Sequence, residues 1–202
     1  MHYSSTSVEF GTPLELVKRV ERDLDIRFTL YPAASDALHV APKYFTQETN
    51  GLARSWTDEN SWLNPPYGRV IGDWMAKAAS EGKHGFSQVM ALVPARTDTA
   101  WWQEIVWPNA RRIAFIKGRI KFDEAIEVCG CDRHGAGIDP SWCAAPTRQP
   151  KYVRRESKNA APFPSALVYF YPDPSIWPGR EDKLRVGVWD WKGEKSLREV
   201  WR

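Results

Sequence analysis

Two apolar runs constrain the fold more than anything else in the chain. Ser87-Gln-Val-Met-Ala-Leu-Val-Pro94 and Phe163-Pro-Ser-Ala-Leu-Val-Tyr-Phe-Tyr-Pro172 both read as strands closed by proline. Shorter strand signals lie at Ile26–Leu30, at Trp62–Leu63 and at Ile113–Ile116, the last continuing through Gly118–Phe122. Helical patterns alternate with them. Leu14, Val17, Val20 and Leu24 recur at helical spacing behind Thr12-Pro13, a good cap followed by a residue suited to a first turn. Residues 68–82 form an amphipathic pattern ending at Gly82, and residues 97–109 read as a helix capped by Thr97 or Asp98. Alternating strands and helices imply an α/β domain with a mixed, mainly parallel sheet flanked by helices.

The length of 202 residues suits one domain with a single sizeable core. No apolar stretch approaches a membrane span, and Met1–Phe10 lacks the apolar core of a secretion signal. Three cysteines cannot all pair with one another, which fits a reducing compartment, so a cytoplasmic location is expected. A net charge of +3 decides little about partners, because a nucleic-acid surface needs its charge gathered in a patch. The 11 tryptophans serve either as core or as flat surfaces for bases.

Ser61-Trp-Leu-Asn-Pro-Pro-Tyr-Gly68 carries the chemistry. It follows a strand and precedes a helix, and in open α/β sheets ligands sit beyond the carboxyl ends of strands. Pro65 and Pro66 fix an extended path and remove two backbone donors. The Asn64 side-chain oxygen and the Pro65 carbonyl are then expected to face one point, where they would accept both hydrogens of an exocyclic amino group. Tyr67 offers a face for a planar ring. Gly68 is expected to let the next helix begin close to the ligand. The arrangement suits methylation of a heterocyclic amine, which needs positioning and stabilisation of developing positive charge.

The chain resembles the phage-type Dam DNA N-6-adenine methyltransferases. The resemblance rests on F-x-T-P at Phe10–Pro13, Ala33-Ala34-Ser35, the stretch Tyr44–Trp56, W-x-NPPYG at Trp62, Ala91–Trp102, Phe115–Phe122 and Ala161–Phe170, in that order. It implies a Rossmann-like fold, S-adenosylmethionine as cofactor, adenine in DNA as substrate and a phage or prophage origin. It also implies that Asn64, Pro65, Pro66 and Tyr67 receive a flipped adenine. Phe10, Thr12, Pro13, Ala33, Ala34, Asn50 and Gly51 would lie beside the cofactor. Arg96, Asp98, Gly118 and Arg119 match later motifs, the arginines as candidate DNA contacts. One departure concerns Thr29-Leu30-Tyr31-Pro32-Ala33-Ala34, where relatives carry an acidic residue at the place of Tyr31. Asp36 is close enough in sequence to replace that charge.

A second departure is a long insertion from about 123 to 160, read as loop, and a Trp-rich tail of mixed charge, expected to pack as a short helix or hairpin, begins at about 172. The insertion holds Arg148, Lys151, Arg154 and Arg155 around Tyr152, either a mobile DNA-binding loop or a solvated one. Cys129, Cys131, His134 and Cys143 are a weak candidate for zinc against ordinary free thiols, because their spacing matches no standard site. Two other readings stay open. One is a non-catalytic DNA-binding relative. The other is a methyltransferase for protein glutamine or another planar amine, since Asn-Pro-Pro-Tyr opens that motif too. The sequence leaves the oligomeric state and the recognised DNA site undetermined.

Overall fold

A computed structural model describes residues 10–84, 86–128, 151–172 and 184–202. The long apolar runs form the strands at the centre of a seven-stranded sheet, ordered β2-β1-β3-β4-β8-β5-β9. The strands are β1 (Leu30–Tyr31), β2 (Lys43–Tyr44), β3 (Asn60–Leu63), β4 (Gln88–Pro94), β5 (Arg112–Ile116), β8 (Ser165–Phe170) and β9 (Arg185–Trp189). Strand β8 runs antiparallel to both of its neighbours, and every other pairing in this sheet is parallel. Every residue of β8 is buried, as is all of β4 after Gln88. That is why neither shows a polar alternation.

Successive side chains serve opposite faces. Met90, Leu92, Trp62, Leu167 and Tyr169 pack with α1 (Leu14–Leu24) and with Leu197 of α4 (Leu197–Val200). Val89, Ala91, Val93, Leu63, Ala166 and Val168 pack with α2 (Ile71–Glu81) and Trp102. Helices α1 and α2 have 11 residues each. Isolated helices shorter than about 12–15 residues are marginal in water, so burial of their apolar faces holds them in place. Among the described residues no helix is long and apolar enough to cross a membrane.

Several expectations are corrected. Thr12 does not cap α1. Pro13 holds the cap position with no side-chain bond, and the Thr12 hydroxyl is buried. The first strand is only Leu30–Tyr31. Residues 97–109 start helix later than expected and wind as a π-helix over Trp102–Val106 before one turn of α3 (Trp107–Asn109). The stretch Gly118–Phe122 is not a continuation of β5, because Gly118 turns the chain at φ 81°. The insertion read as loop contributes a hairpin, β6 (Asp123–Val128) antiparallel to β7 (Lys151–Glu156). Lys43–Tyr44 adds an edge strand inside a segment that looked irregular.

The tail supplies β9 and α4 and is fastened to α1. Arg19 donates to the carbonyls of Gly193, Glu194 and Lys195, and to Asp23 Oδ1 at 2.9 Å. Asp23 Oδ2 accepts from the Leu197 backbone N–H at the start of α4, 2.8 Å away. Removing one member of a buried ion pair costs about 3–5 kcal/mol because the other charge is left unpaired. Asp23→Ala is expected to lower unfolding stability by about 3 kcal/mol, the low end because Arg19 keeps its carbonyl acceptors. Urea denaturation at neutral pH measures this. A loss below about 1 kcal/mol, the surface-pair range, would show that the tail is held otherwise.

Candidate active site

Strands β1, β3, β4 and β5 all deliver the chain to one edge of the sheet, and the functional segments collect there. Asn64 follows the last residue of β3 and is 5% exposed. A buried amide must find partners in the protein. Its Nδ2 donates to the Phe10 carbonyl at 2.5 Å, and its Oδ1 accepts from the Tyr67 hydroxyl at 2.7 Å. The Phe10 carbonyl can only accept, so it fixes which end of the amide is nitrogen and which is oxygen. Oδ1 has two lone pairs, and Tyr67 engages one. The expected bare oxygen is thus a tyrosine-bonded one with one acceptor position left. Tyr67 is also 3.3 Å from the Leu92 carbonyl.

Burial pushes the Tyr67 phenol pKa well above its ordinary value, and nearby Tyr31 adds to the rise. The hydroxyl therefore stays protonated and remains a donor to Asn64. Around the Tyr67 ring stand Phe10, stacked at 5.7 Å between centroids, Phe163, edge-on at 5.2 Å, and Phe122 at 6.1 Å. Phe122 and Phe163 are site residues that the sequence reading missed. The signal was there: each closes or opens a segment that abuts a strand end. Pro65 is buried and Pro66 exposed. Gly68 has φ 157°, and a Cβ there would meet nothing within 4 Å. Its positive φ suits glycine, and the space beside it is free of protein atoms.

The segments expected beside a cofactor do converge here. Thr12 Oγ1 accepts from Trp62 Nε1 at 3.1 Å and lies 3.4 Å from the Tyr31 hydroxyl. This ties the Phe10–Pro13 strap to the ends of β1 and β3. The loop after β1 meets the Asn50–Gly51 turn. A Cβ on Gly51 would lie 2.0 Å from the Pro32 carbonyl oxygen, and the Ala34 N–H donates to Phe45. Only glycine allows that approach. Pro13 and Ala33 flank these contacts in sequence. Asp36 is exposed and accepts from the Tyr44 hydroxyl at 3.0 Å. That bond first, the Asp36 charge second and burial third raise the Tyr44 phenol pKa.

The candidate DNA contacts divide. Arg96 follows β4 and Arg119 follows β5, so both sit at this edge, and both are exposed. Arg155 is exposed on β7 and only loosely paired, 3.8 Å from Glu124. Arg154 turns the other way, toward the protein: it donates to the Thr12 carbonyl at 2.7 Å and to Asp123 Oδ2 at 2.8 Å. The run is therefore not a mobile loop over these residues, since Lys151–Glu156 is a paired strand. Arg148 and the metal candidates Cys129, Cys131, His134 and Cys143 lie outside the described residues.

Comparison with known proteins gives the family. A curated DNA N-6-adenine-methyltransferase of Escherichia phage T1 is 36% identical over 115 residues, 56% of this chain and 47% of the relative. The alignment thus spans about half the length of that protein. The profile of the DNA N-6-adenine-methyltransferase (Dam) family matches residues 5–137, well over half of the 202. A stretch that runs from the Phe10 strap through the Asn64 corner to the start of the hairpin arm is what the family shares, and the chain belongs to the DNA N-6-adenine-methyltransferase (Dam) family.

Proposed function

We propose that the protein methylates the exocyclic nitrogen of adenine in DNA, using S-adenosylmethionine, with the target base extruded into the corner at Asn64–Tyr67. The observation that carries this reading is the oriented amide of Asn64, fixed by the Phe10 carbonyl with its oxygen as acceptor, beside the Tyr67 ring. An exocyclic amine is a poor nucleophile that gains positive charge as it reacts. A fixed oxygen acceptor stabilises that charge without reorganisation. The Tyr67 ring provides a stacking face for a base taken out of the duplex. The mostly parallel sheet fits a Rossmann-like methyltransferase.

The residues present fit the cofactor. Three segments expected to hold it, 10–13, 33–36 and 50–51, are joined by contacts at one edge, and Asp36 supplies an exposed carboxylate for a cationic ligand. When bound, S-adenosylmethionine supplies the electrophilic methyl group. Asn64 accepts from the amine, Tyr67 orients both the base and the Asn64 oxygen, and the aromatic box excludes water. Arg96, Arg119 and Arg155, with Arg148 and Lys151, would meet DNA phosphates. Such an enzyme would be phage or prophage encoded and would act in the bacterial cytoplasm. Tyr31, buried where relatives carry an acid, favours a second reading, a DNA binder without activity; calorimetry with S-adenosylmethionine separates the two.

Asn64→Ala is expected to lower kcat by on the order of 10²–10³-fold, the cost of losing one preorganised charge-stabilising group. Cofactor binding should hold. Tritiated methyl transfer to plasmid DNA, read against the wild-type protein, measures it, and persistence of transfer would sink the assignment. Tyr67→Ala should lose about 1–3 kcal/mol of base stacking, seen as roughly 5–150-fold in kcat/KM for DNA. Tyr67→Phe keeps the ring and should lose much less. Because the phenol stays protonated, the Phe variant should also keep the wild-type pH profile between about pH 6 and 9. A changed profile would show that the hydroxyl titrates in that range.

A further inference from the structure

Arg154 and Arg155 are neighbours on β7 and carry the same charge, yet they project to opposite sides, as strand geometry requires. Arg154 bonds three separate segments. Its Nη1 donates to the Thr12 carbonyl at 2.7 Å and to Asp123 Oδ2 at 2.8 Å, and its Nη2 donates to the His39 carbonyl at 2.9 Å. The Arg154 side chain is 23% exposed and that of Asp123 10%. Beneath this junction Gly11 and Asp123 exchange both backbone bonds, at 2.8 and 2.7 Å. A Cβ on Gly11 would stand 2.9 Å from the Asp123 carbonyl oxygen and 2.9 Å from Leu38. The hairpin base, the strap at 10–13 and the loop after β1 are therefore one welded unit.

We propose that Arg154 is a positioning residue for the methyl-donor site, not a DNA contact. The proposal rests on the functional reading above. Two of the three segments Arg154 joins, the strap and the loop after β1, are those assigned to the cofactor. The strap also carries the Phe10 carbonyl that orients Asn64. A planar guanidinium serves several acceptors in fixed directions, whereas an ammonium is a point charge on a flexible stem. Arg154 supplies fixed geometry in addition to the positive charge that Asp123 faces. Arg155 lacks those partners and is the residue of the pair able to reach a phosphate.

The test uses the full-length protein with Arg154→Gln, Arg154→Lys and Arg155→Gln. Both Arg154 variants should raise the KM for S-adenosylmethionine about tenfold, with a smaller fall in kcat at saturating donor because the strap also holds the Phe10 carbonyl, a split that general destabilisation would not give. The slope of DNA affinity against salt should not change in them. Arg155→Gln should leave the donor KM alone and reduce that slope by about 0.9, the loss of one phosphate contact. Amide exchange at Gly11 and Asp123 should accelerate in both Arg154 variants. An unchanged donor KM, a wild-type-like Lys variant, a reduced salt slope in Arg154→Gln, or unchanged exchange would each overturn the proposal. Absence of donor binding by the wild-type protein would overturn the functional reading and this role with it; faster exchange in that case would leave Arg154 a structural weld alone.

Discussion

The Asn64 amide, 5% exposed, has one acceptor oxygen and two N–H groups to place within the protein. The Phe10 carbonyl takes an N–H and the Tyr67 hydroxyl meets the oxygen. Each partner then imposes a condition on its own surroundings. Phe10 must be held in the strap, so Gly11 has to lie tight against Asp123 and Leu38. Tyr67 must keep its proton, as an ordinary phenol does at neutral pH, and desolvation raises its pKa further. The aromatic ring of Phe10 on Tyr67 and the edge of Phe163 supply that desolvation. The edge of the sheet is arranged around one oriented hydrogen-bonding group.

The central strands were legible because their physics is local. A run such as Val89–Val93, buried on both faces, has no polar side to hide. Helices α1 and α2 were legible because one face of each is apolar. The corner at Asn64 was legible because two prolines after an amide leave the backbone few alternatives. The missed elements depend on partners distant in sequence. Lys43–Tyr44 is a strand only because β1 lies beside it, and Arg185–Trp189 only because β5 does. Thr12 looked like a cap because threonine before proline is a local signal. Its hydroxyl is instead claimed by Trp62, fifty positions away. No local pattern distinguishes Arg154 from Arg155, since only the pairing register of β7 on β6 sends one inward.

The same logic explains why the tail matters to the site. Trp189 and Trp201 are buried on the α1 face of the sheet, in the cluster that includes Tyr31 and Trp62. Arg19 and Asp23 hold the tail against α1 through side chain to backbone bonds. Helix α1 begins right after the strap, at Leu14. The tail thereby steadies the element from which the strap hangs, although it is far from Asn64 in sequence.

Tyr31 shows how packing reassigns a charge. The position is 2% exposed and lies among Val17, Trp62 and Phe28 in the apolar cluster. An ionised carboxylate there would have to overcome an effective desolvation cost on the order of several kcal/mol, offset only by an excellent partner. A phenol fills the same place with its ring in the core and its hydroxyl near Thr12. A neutral group at 31 avoids that cost, and its hydroxyl lies 3.4 Å from Thr12 of the strap. The negative charge expected near a cationic ligand then has to come from a residue that water can solvate while the site is open. In the proposed function that residue is Asp36, five positions on, exposed and bonded by the Tyr44 hydroxyl.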